Sequence, residues 1–354
     1  MSQTTAQLIS GTSAQSPTFG ATTVTSLNGG QLAGTRNRII NGDMRIDQRN
    51  AGASLSVANT GLYSVDRWRI SNSVSTVTVQ QSSSVVPTDF SNSLGLTVST
   101  TDSTGSHAVA HYVEGFNFSD LNWGSANAKT VTLSFWVRSS LVGTYGVGLQ
   151  NSAQNRSYVA TYTINAANTW EYKTITVAGD TTSTWIGSTN GIGLSLEFDL
   201  GSASSYNQAA GSWGTVSNAR RTSGCVNWAN TSGATFYITG VQLEPGTVAT
   251  PFERRSYGAE LALCQRYYEA GSADLVGGFI SAAGLSIYGH ISFLQVKRVS
   301  PTVSAPANWI SQASAGTTTS RAFTSASIYA NGFSLSLPGS DPRGIGSYAA
   351  SAEL

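Results

Sequence analysis

The feature that most constrains this chain is a period of two in its apolar residues. In Thr130 to Arg138, Val131, Leu133, Phe135 and Val137 fall on one side while Thr132, Ser134, Trp136 and Arg138 fall on the other. That alternation marks a strand buried on one face. Similar runs, rich in Val, Thr, Tyr, Phe and Trp, occupy Ser73 to Gln80, Leu94 to Ser99, Ser106 to Val113, Ser157 to Ile164, Trp170 to Val177, Gly191 to Leu200 and Thr235 to Leu243. Clusters of Gly, Asn and Ser separate them, as antiparallel strands at regular spacing require. No helical stretch lies between them, so a two-sheet sandwich is the natural way to bury both inner faces, and the chain is expected to be all-β.

The pattern is punctuated in three places. Residues 1–35 hold no hydrophobic period and no aromatic residue except Phe19, so this stretch cannot bury a core alone. It reads as an extended arm, either a flexible tail or a segment ordered against a partner. The single strong helix candidate is Tyr257 to Glu269, where Tyr257, Leu261, Cys264 and Tyr268 recur at helical spacing. Ser256 is placed to cap its start, Glu260 sits in its first turn and Gly271 follows its end. Beyond it Gly277 to Val299 and Ala322 to Leu337 alternate again, with Asn331-Gly332 as a hairpin turn. The expected division is an arm at 1–35, a β-sandwich at 36–253, and a linking helix with a smaller C-terminal β domain at 254–354.

Composition narrows the function. Only 10% of the 354 residues are charged, the formal net charge is +1, and Ser and Thr together number 93. Such a surface offers no field for nucleic acid, whose binding depends on many Lys and Arg neutralising phosphates. The basic set is 16 Arg and 3 Lys, and Arg suits interfaces better than solvated Lys does. Two cysteines build no disulfide framework or C-x-x-C site. Neither a signal peptide nor an apolar span is evident, so no cleaved signal and no membrane insertion are expected.

Enzymatic motifs fare poorly. His107 and His111, in H-A-V-A-H, lack the Glu of H-E-x-x-H and lie in a strand-like run, so ordinary strand histidines are the better account and no metal site or cofactor is expected. No G-x-S-x-G elbow appears. Glu197 and Asp199 stand at i and i+2 of one strand, with Cα atoms about 6.5 to 7 Å apart, not far from a glycosidase pair. Leu194, Leu196, Phe198 and Leu200 occupy the opposite face, so the plain reading is a solvent-facing strand side.

Ser26 to Gly52 (SLNGGQLAGTRNRIINGDMRIDQRNAG), the following Tyr63 to Trp68 (YSVDRW), Val131 to Ser140, Phe236 to Glu269 (FYITGVQLEPGTVATPFERRSYGAELALCQRYYE) and the terminal Ala350 to Leu354 together resemble tailed-bacteriophage and prophage tail-fibre proteins. The middle portion also resembles the jelly-roll carbohydrate-binding modules. Where those modules often place an Asp pair that helps hold calcium, this chain has Thr239 and Gly240, which leaves a calcium site open. The resemblance implies a jelly-roll sandwich in a homotrimeric virion appendage, assembled in the host cytoplasm.

The expected function is thus a structural, non-enzymatic virion protein: a trimeric tail fibre that attaches to host-surface polysaccharide, anchored to other virion proteins through residues 1–35. A head fibre or capsid decoration protein of the same fold is the alternative, and a glycan-cleaving tailspike ranks below both. Tyr288, His290, Trp309 and Tyr329, set among Ser, Thr and Gly, are the distal glycan-binding candidates. Trp136 and Trp170, on non-core strand faces, are the others. Each of these aromatics has a second reading as core or subunit contact.

Overall fold

The computed structural model describes residues 35–276, 280–281, 284–304, 309–312, 318–321, 324–338 and 343–354. The arm expected at 1–35 lies outside the described residues except for its last position.

The larger body is built from β1 (Leu55–Tyr63), β2 (Trp68–Ser82), β3 (Ser93–Thr100), β4 (His107–Glu114), β5 (Val131–Ser139), β6 (Gly143–Gln150), β7 (Ser157–Ile164), β8 (Glu171–Val177), β9 (Ile192–Asp199), β10 (Trp213–Gly214) and β11 (Thr235–Pro245). Hydrogen bonding runs β10-β7-β6-β9-β4-β2-β3-β11-β5-β8, with β1 beside β2. The long strand β2 closes the sandwich. Its first part, Trp68–Asn72, pairs with β4, and its second, Thr76–Ser82, pairs with β3. Its partner β1 shifts register between Ala58 and Thr60, a bulge-type irregularity of the sort that lets strands bend. The sheet therefore doubles back, and its halves meet face to face. Phe135 of β5 contacts the rings of Tyr162 (β7) and Phe198 (β9), each at 5.0 Å between centroids, and Tyr145 (β6) reaches Phe236 (β11) at 6.1 Å. These rings, with Val131, Leu133, Val137, Leu194 and Leu196, are buried. Each such burial contributes about 1.5–3 kcal/mol. The two-sheet sandwich expected from the alternation, which the resemblance implied to be a jelly roll, is the fold observed.

Three strands of this body, β1, β6 and β10, lie outside the runs read from the alternation. β6 is rich in glycine, and the reason is steric. A Cβ on Gly146 would stand 2.2 Å from the Arg220 carbonyl oxygen, and one on Gly148 would stand 2.5 Å from that of Ala219. The strand has bare backbone there because residues 219–221 lie across it.

Residues 36–52 form no regular element, yet Asn37, Ile39, Ile40, Asn41, Met44 and Ile46 are buried. This strap runs along β11, with Arg38 N donating to Leu243 O at 2.8 Å and Val241 N donating to Gly42 O at 2.9 Å. Asn41 is its pivot. Its side chain bonds the Ile46 and Asp66 carbonyls and the Ile46 N–H, and its own carbonyl accepts from Trp68 Nε1 at 2.8 Å.

Helix α1 spans Tyr257–Gln265, with Ser256 at its N-cap accepting from Ala259 N and Glu260 in its first turn. It is shorter than the period suggested. Tyr268 and Glu269 belong instead to β12 (Tyr268–Val276), and Gly271 lies within that strand. The buried face is also different: Glu260, Cys264 and Gln265 point inward, while Tyr257 is exposed. Pairing of Tyr268 with Ser351 near the C-terminus ends the helix, a contact across more than 80 residues that no local pattern encodes.

The rest comprises β13 (Ile280–Ser281), β14 (Gly284–Ser292), β15 (Thr302–Ser304), β16 (Trp309–Gln312), β17 (Thr318–Arg321), β18 (Thr324–Tyr329), β19 (Gly332–Pro338) and β20 (Arg343–Ser351). One sheet runs β12-β20-β16-β17 with β15 also on β20, and another runs β13-β14-β19-β18. Ile291, Phe293, Phe333, Leu335, Tyr348 and Ala350 form their shared core. The β18–β19 hairpin turns at Ala330-Asn331, one residue earlier than expected, because Tyr329 pairs with Gly332. Strand β20, which the sequence pattern did not disclose, carries the chain back to the strap, where Glu353 pairs with Arg67 and Arg49.

Candidate functional site

The outward face of the β3-β11-β5-β8 layer carries a platform of rings. Trp136 of β5 stands directly opposite Tyr172 of β8, with centroids 5.4 Å apart. Two residues along β5, Arg138 is paired with Tyr237 of β11, and its guanidinium lies 5.4 Å from the Tyr237 ring. Trp170, just before β8, meets Tyr237 at 6.4 Å. The placement of Trp136 and Trp170 away from the core face agrees with the alternation. Trp136 is half-buried and Tyr172 is exposed.

At the Trp136 end the platform deepens into a cleft of about 710 Å³, lined by Trp136, Tyr172, Phe90, Phe252, Arg254 and Asp89 together with Thr88, Ser134, Gly240 and Ala249–Pro251. That volume falls within the range of small-ligand sites. Phe90 and Phe252 meet edge to face at 5.4 Å, and the Arg254 guanidinium lies 4.7 Å from the Phe90 ring and 5.8 Å from Phe252. Gly240 makes the cleft possible. Its φ is +62°, and a Cβ there would stand 2.6 Å from Phe90 and 3.2 Å from Trp136. It lies where β11 shifts register between Thr239 and Gln242.

The wall formed by residues 249–254 is held from beneath. Buried Glu244 accepts from Thr250 N at 2.8 Å, Thr250 Oγ1 at 2.6 Å and Gln242 Nε2 at 2.8 Å. Gln242 Oε1 accepts from Glu253 N at 2.8 Å. Two buried polar side chains thus fix a loop that would otherwise be free, and this accounts physically for the V-Q-L-E-P-G-T-V-A-T-P-F-E-R run. Sequence reasoning missed Phe90, Phe252 and Arg254 as site residues. Their one local signal is an aromatic residue shortly after a proline, at Pro87 and Pro251, which marks a loop without saying which face the ring will meet.

Among the distal candidates, His290 and Tyr329 are exposed. Through the register of β14, β19 and β18 they share one face with Ser292, Ser327 and Ser334, opposite the core residues Ile291, Phe333 and Ile328. The side chains of Tyr288 and Trp309 lie outside the described residues. No cluster of three or more His, Cys, Asp or Glu able to hold a metal ion occurs among the described residues.

The carboxylate pair considered for catalysis is not solvent-facing. Glu197 and Asp199 are buried because residues 219–221 cross the outer side of β6 and β9. Arg220 Nη1 bonds Glu197 at 2.6 Å, Arg220 and Arg221 approach Asp199 at 3.9 and 3.7 Å, and Ser202 N donates to Asp199 at 3.0 Å. Burial raises the Asp199 pKa against the pull of both arginines. With every face covered, the pair serves to tie the 201–221 segment to the sheet. The strand histidines are structural as well. His107 bonds Asp102 at 2.9 Å and Asn72 at 2.8 Å, and His111 faces Trp68 and the Ile40 backbone. Burial lowers the pKa of both. Burial also pushes against ionisation of Asp102, but bonds from Thr104 N and Oγ1, His107 and Gly105 N outweigh it and hold its pKa at about 2.

No protein-family model and no curated protein sequence matches the chain. Among solved structures, a family 4 carbohydrate-binding module aligns at 16% identity over 58% of this chain and 99% of its own, with a TM-score of 0.27. A family 11 carbohydrate-binding module from Clostridium thermocellum, in complex with a mixed-linked tetrasaccharide, aligns at 12% identity over 57% and 100%, with a TM-score of 0.28. The tripod from the baseplate of bacteriophage Tuc2009 aligns at 11% identity over 64% and 60%, with a TM-score of 0.26. Values this low assign no function to the chain.

Proposed function

We propose that the chain is a non-enzymatic, glycan-binding structural protein of a tailed-phage virion, a trimeric tail fibre in which residues 1–35 engage other virion proteins. The observation that carries glycan binding is the aromatic cleft on the outer face of the jelly roll. Ring faces of Trp136 and Tyr172 supply apolar contact for the flat side of a pyranose, while Ser134, Thr88, Thr250 and backbone groups at the rim bond its hydroxyls, each worth about 0.5–1.5 kcal/mol net. The tail-fibre assignment is supported by the sequence resemblance at Ser26 to Trp68, Phe236 to Glu269 and the C-terminus.

In this reading residues 36–253 display the cleft, and 254–354 form a smaller distal part with a second polar and aromatic face around His290 and Tyr329. The two are fastened together: Arg266 clamps Glu114 through two bonds of 2.9 and 2.6 Å, and Glu260 accepts from the Asn41 backbone. Most arginines are occupied by such internal pairs, so their abundance bears on the fold of one chain more than on assembly; the trimer is tested by light scattering, where a stable monomer at micromolar concentration overturns it. Affinity per chain should be weak, and three chains on one fibre gain about 100-fold or more when they engage together. Replacing Trp136 and Tyr172 by Ala should abolish retardation on host-polysaccharide gels and slow adsorption to cells while leaving the melting temperature within about 2 °C. Unchanged adsorption and retardation would move recognition to the His290 and Tyr329 face.

A further inference from the structure

Two guanidiniums on the ring platform have no carboxylate partner among the described residues, in a protein that pairs most of its arginines with Asp or Glu. Arg67, Arg156, Arg220 and Arg266 all bond Asp or Glu side chains. Arg254 and Arg138 form no ion pair among the described residues. Each is nonetheless held in place. Arg254 stacks on Phe90 and donates Nη2 to the Asp89 carbonyl, while Arg138 stacks on Tyr237 and donates Nε to Asn168 O at 2.7 Å. Ring and carbonyl contacts orient each fork, and Arg254 is exposed while Arg138 is half-exposed. In the cleft lining Asp89 balances Arg254, and Arg138 beyond the cleft leaves these three residues with one positive charge in excess.

We infer that this site takes an acidic polysaccharide, whose pyranose rings stack on the platform while ring carboxylates, from uronic acid or ketal-linked pyruvate, bond Arg254 and Arg138. The inference rests on the glycan-binding reading above and specifies its ligand class. A planar guanidinium matches a carboxylate through two parallel bonds, which a neutral hydroxymethyl group cannot reproduce. The geometry also calls for a chain. Successive outward positions on a strand are about 6.8 Å apart, so the Trp136–Tyr172 row and the Arg138–Tyr237 row engage different sugar units.

The test uses the full-length protein in affinity electrophoresis and calorimetry with polygalacturonate, alginate and pyruvylated xanthan, each beside its carboxyl-reduced counterpart, plus a panel of neutral glycans. At least one acidic polymer should bind about ten-fold more tightly than its reduced form in dilute buffer, with the advantage shrinking toward 1 M salt. Arg254→Gln and Arg138→Gln should each lose roughly five-fold more affinity toward the acidic form than toward the reduced one, and Asp89→Asn should gain toward the acidic form. All three substitutions fall on exposed or half-exposed side chains, and an unchanged melting temperature confirms folding. Equal binding of acidic and reduced forms, or an acidic form bound with an affinity that both Arg254→Gln and Arg138→Gln leave unaltered, overturns the charge inference and keeps glycan binding. Failure of every polymer, acidic and neutral, removes both.

Discussion

Glu353, the penultimate residue, should be among the costliest side chains to remove. Arg67 is 1% exposed. Its guanidinium lies 3.6 Å from the Tyr267 ring, donates Nη1 to Glu353 Oε2 and Nη2 to the Tyr112 carbonyl, and leaves Nε without a partner. Glu353 also bonds Arg49 at 2.7 Å, and Arg49 is itself 3.6 Å from the Tyr268 ring. Glu353→Ala leaves the Arg67 charge buried with one carbonyl and one ring face. Breaking a buried pair from one side costs about 3–5 kcal/mol, and the Arg49 contact, itself mostly buried, is lost with it. At about 2–4 °C per kcal/mol for a body of this size, the melting temperature should fall by roughly 6–20 °C. Urea unfolding followed by tryptophan fluorescence measures the loss. The double variant Arg67→Met/Glu353→Leu should recover most of it, because removing both charges of the buried pair leaves only the Arg49 contact unmade. A single-variant loss below about 1 kcal/mol would refute the claim that the C-terminus is locked by this charge, and so would a double variant as unstable as the sum of the singles.

Three further outcomes are expected. Burial, against bonds from Gln48 and the nearby Arg49, raises the Asp66 pKa from 3.8 to about 7. Because the folded pKa is the higher, the native state holds the proton more tightly, and stability is lost as pH rises from about 4 to about 7, by roughly 4 kcal/mol in all. The stability difference between wild type and Asp66→Asn should shift by that amount in the variant's favour across the window, and a difference that does not change with pH rejects the assignment. Gly240→Ala puts a Cβ at φ +62° and 2.6 Å from Phe90; it should cost about 1–2 kcal/mol in the backbone and weaken glycan retardation by displacing Phe90, whereas wild-type binding would show that Phe90 is no part of the site. Cys225 and Cys264 are free and buried, and burial raises both thiol pKa values, so a thiol reagent at pH 8 should label native protein slowly and both residues at once in urea, with rapid native labelling as the contrary result.

What local sequence encodes, it encoded well. The period of two placed Val131, Leu133, Phe135 and Val137 inward and Trp136 outward, and it set the bounds of β7, because alternation on a pleated strand depends only on neighbours along the chain. The same holds for the Ser256 cap, whose bond closes within one turn. Tertiary structure decided what lies above each face. Glu197 and Asp199 point away from the apolar side as their register demands, yet they are buried because a segment more than 20 residues further along covers them. The helix stops at Gln265 because Tyr268 pairs with Ser351. Phe90, Trp136 and Arg254 come from stretches separated by more than 40 residues, and they form one cleft because Gly240 leaves room and Glu244 holds the opposing loop. A residue's periodicity tells which way it points, but a ligand site requires knowing what it points toward, and that is fixed by contacts between distant stretches whose partners carry no mark in their own local sequence.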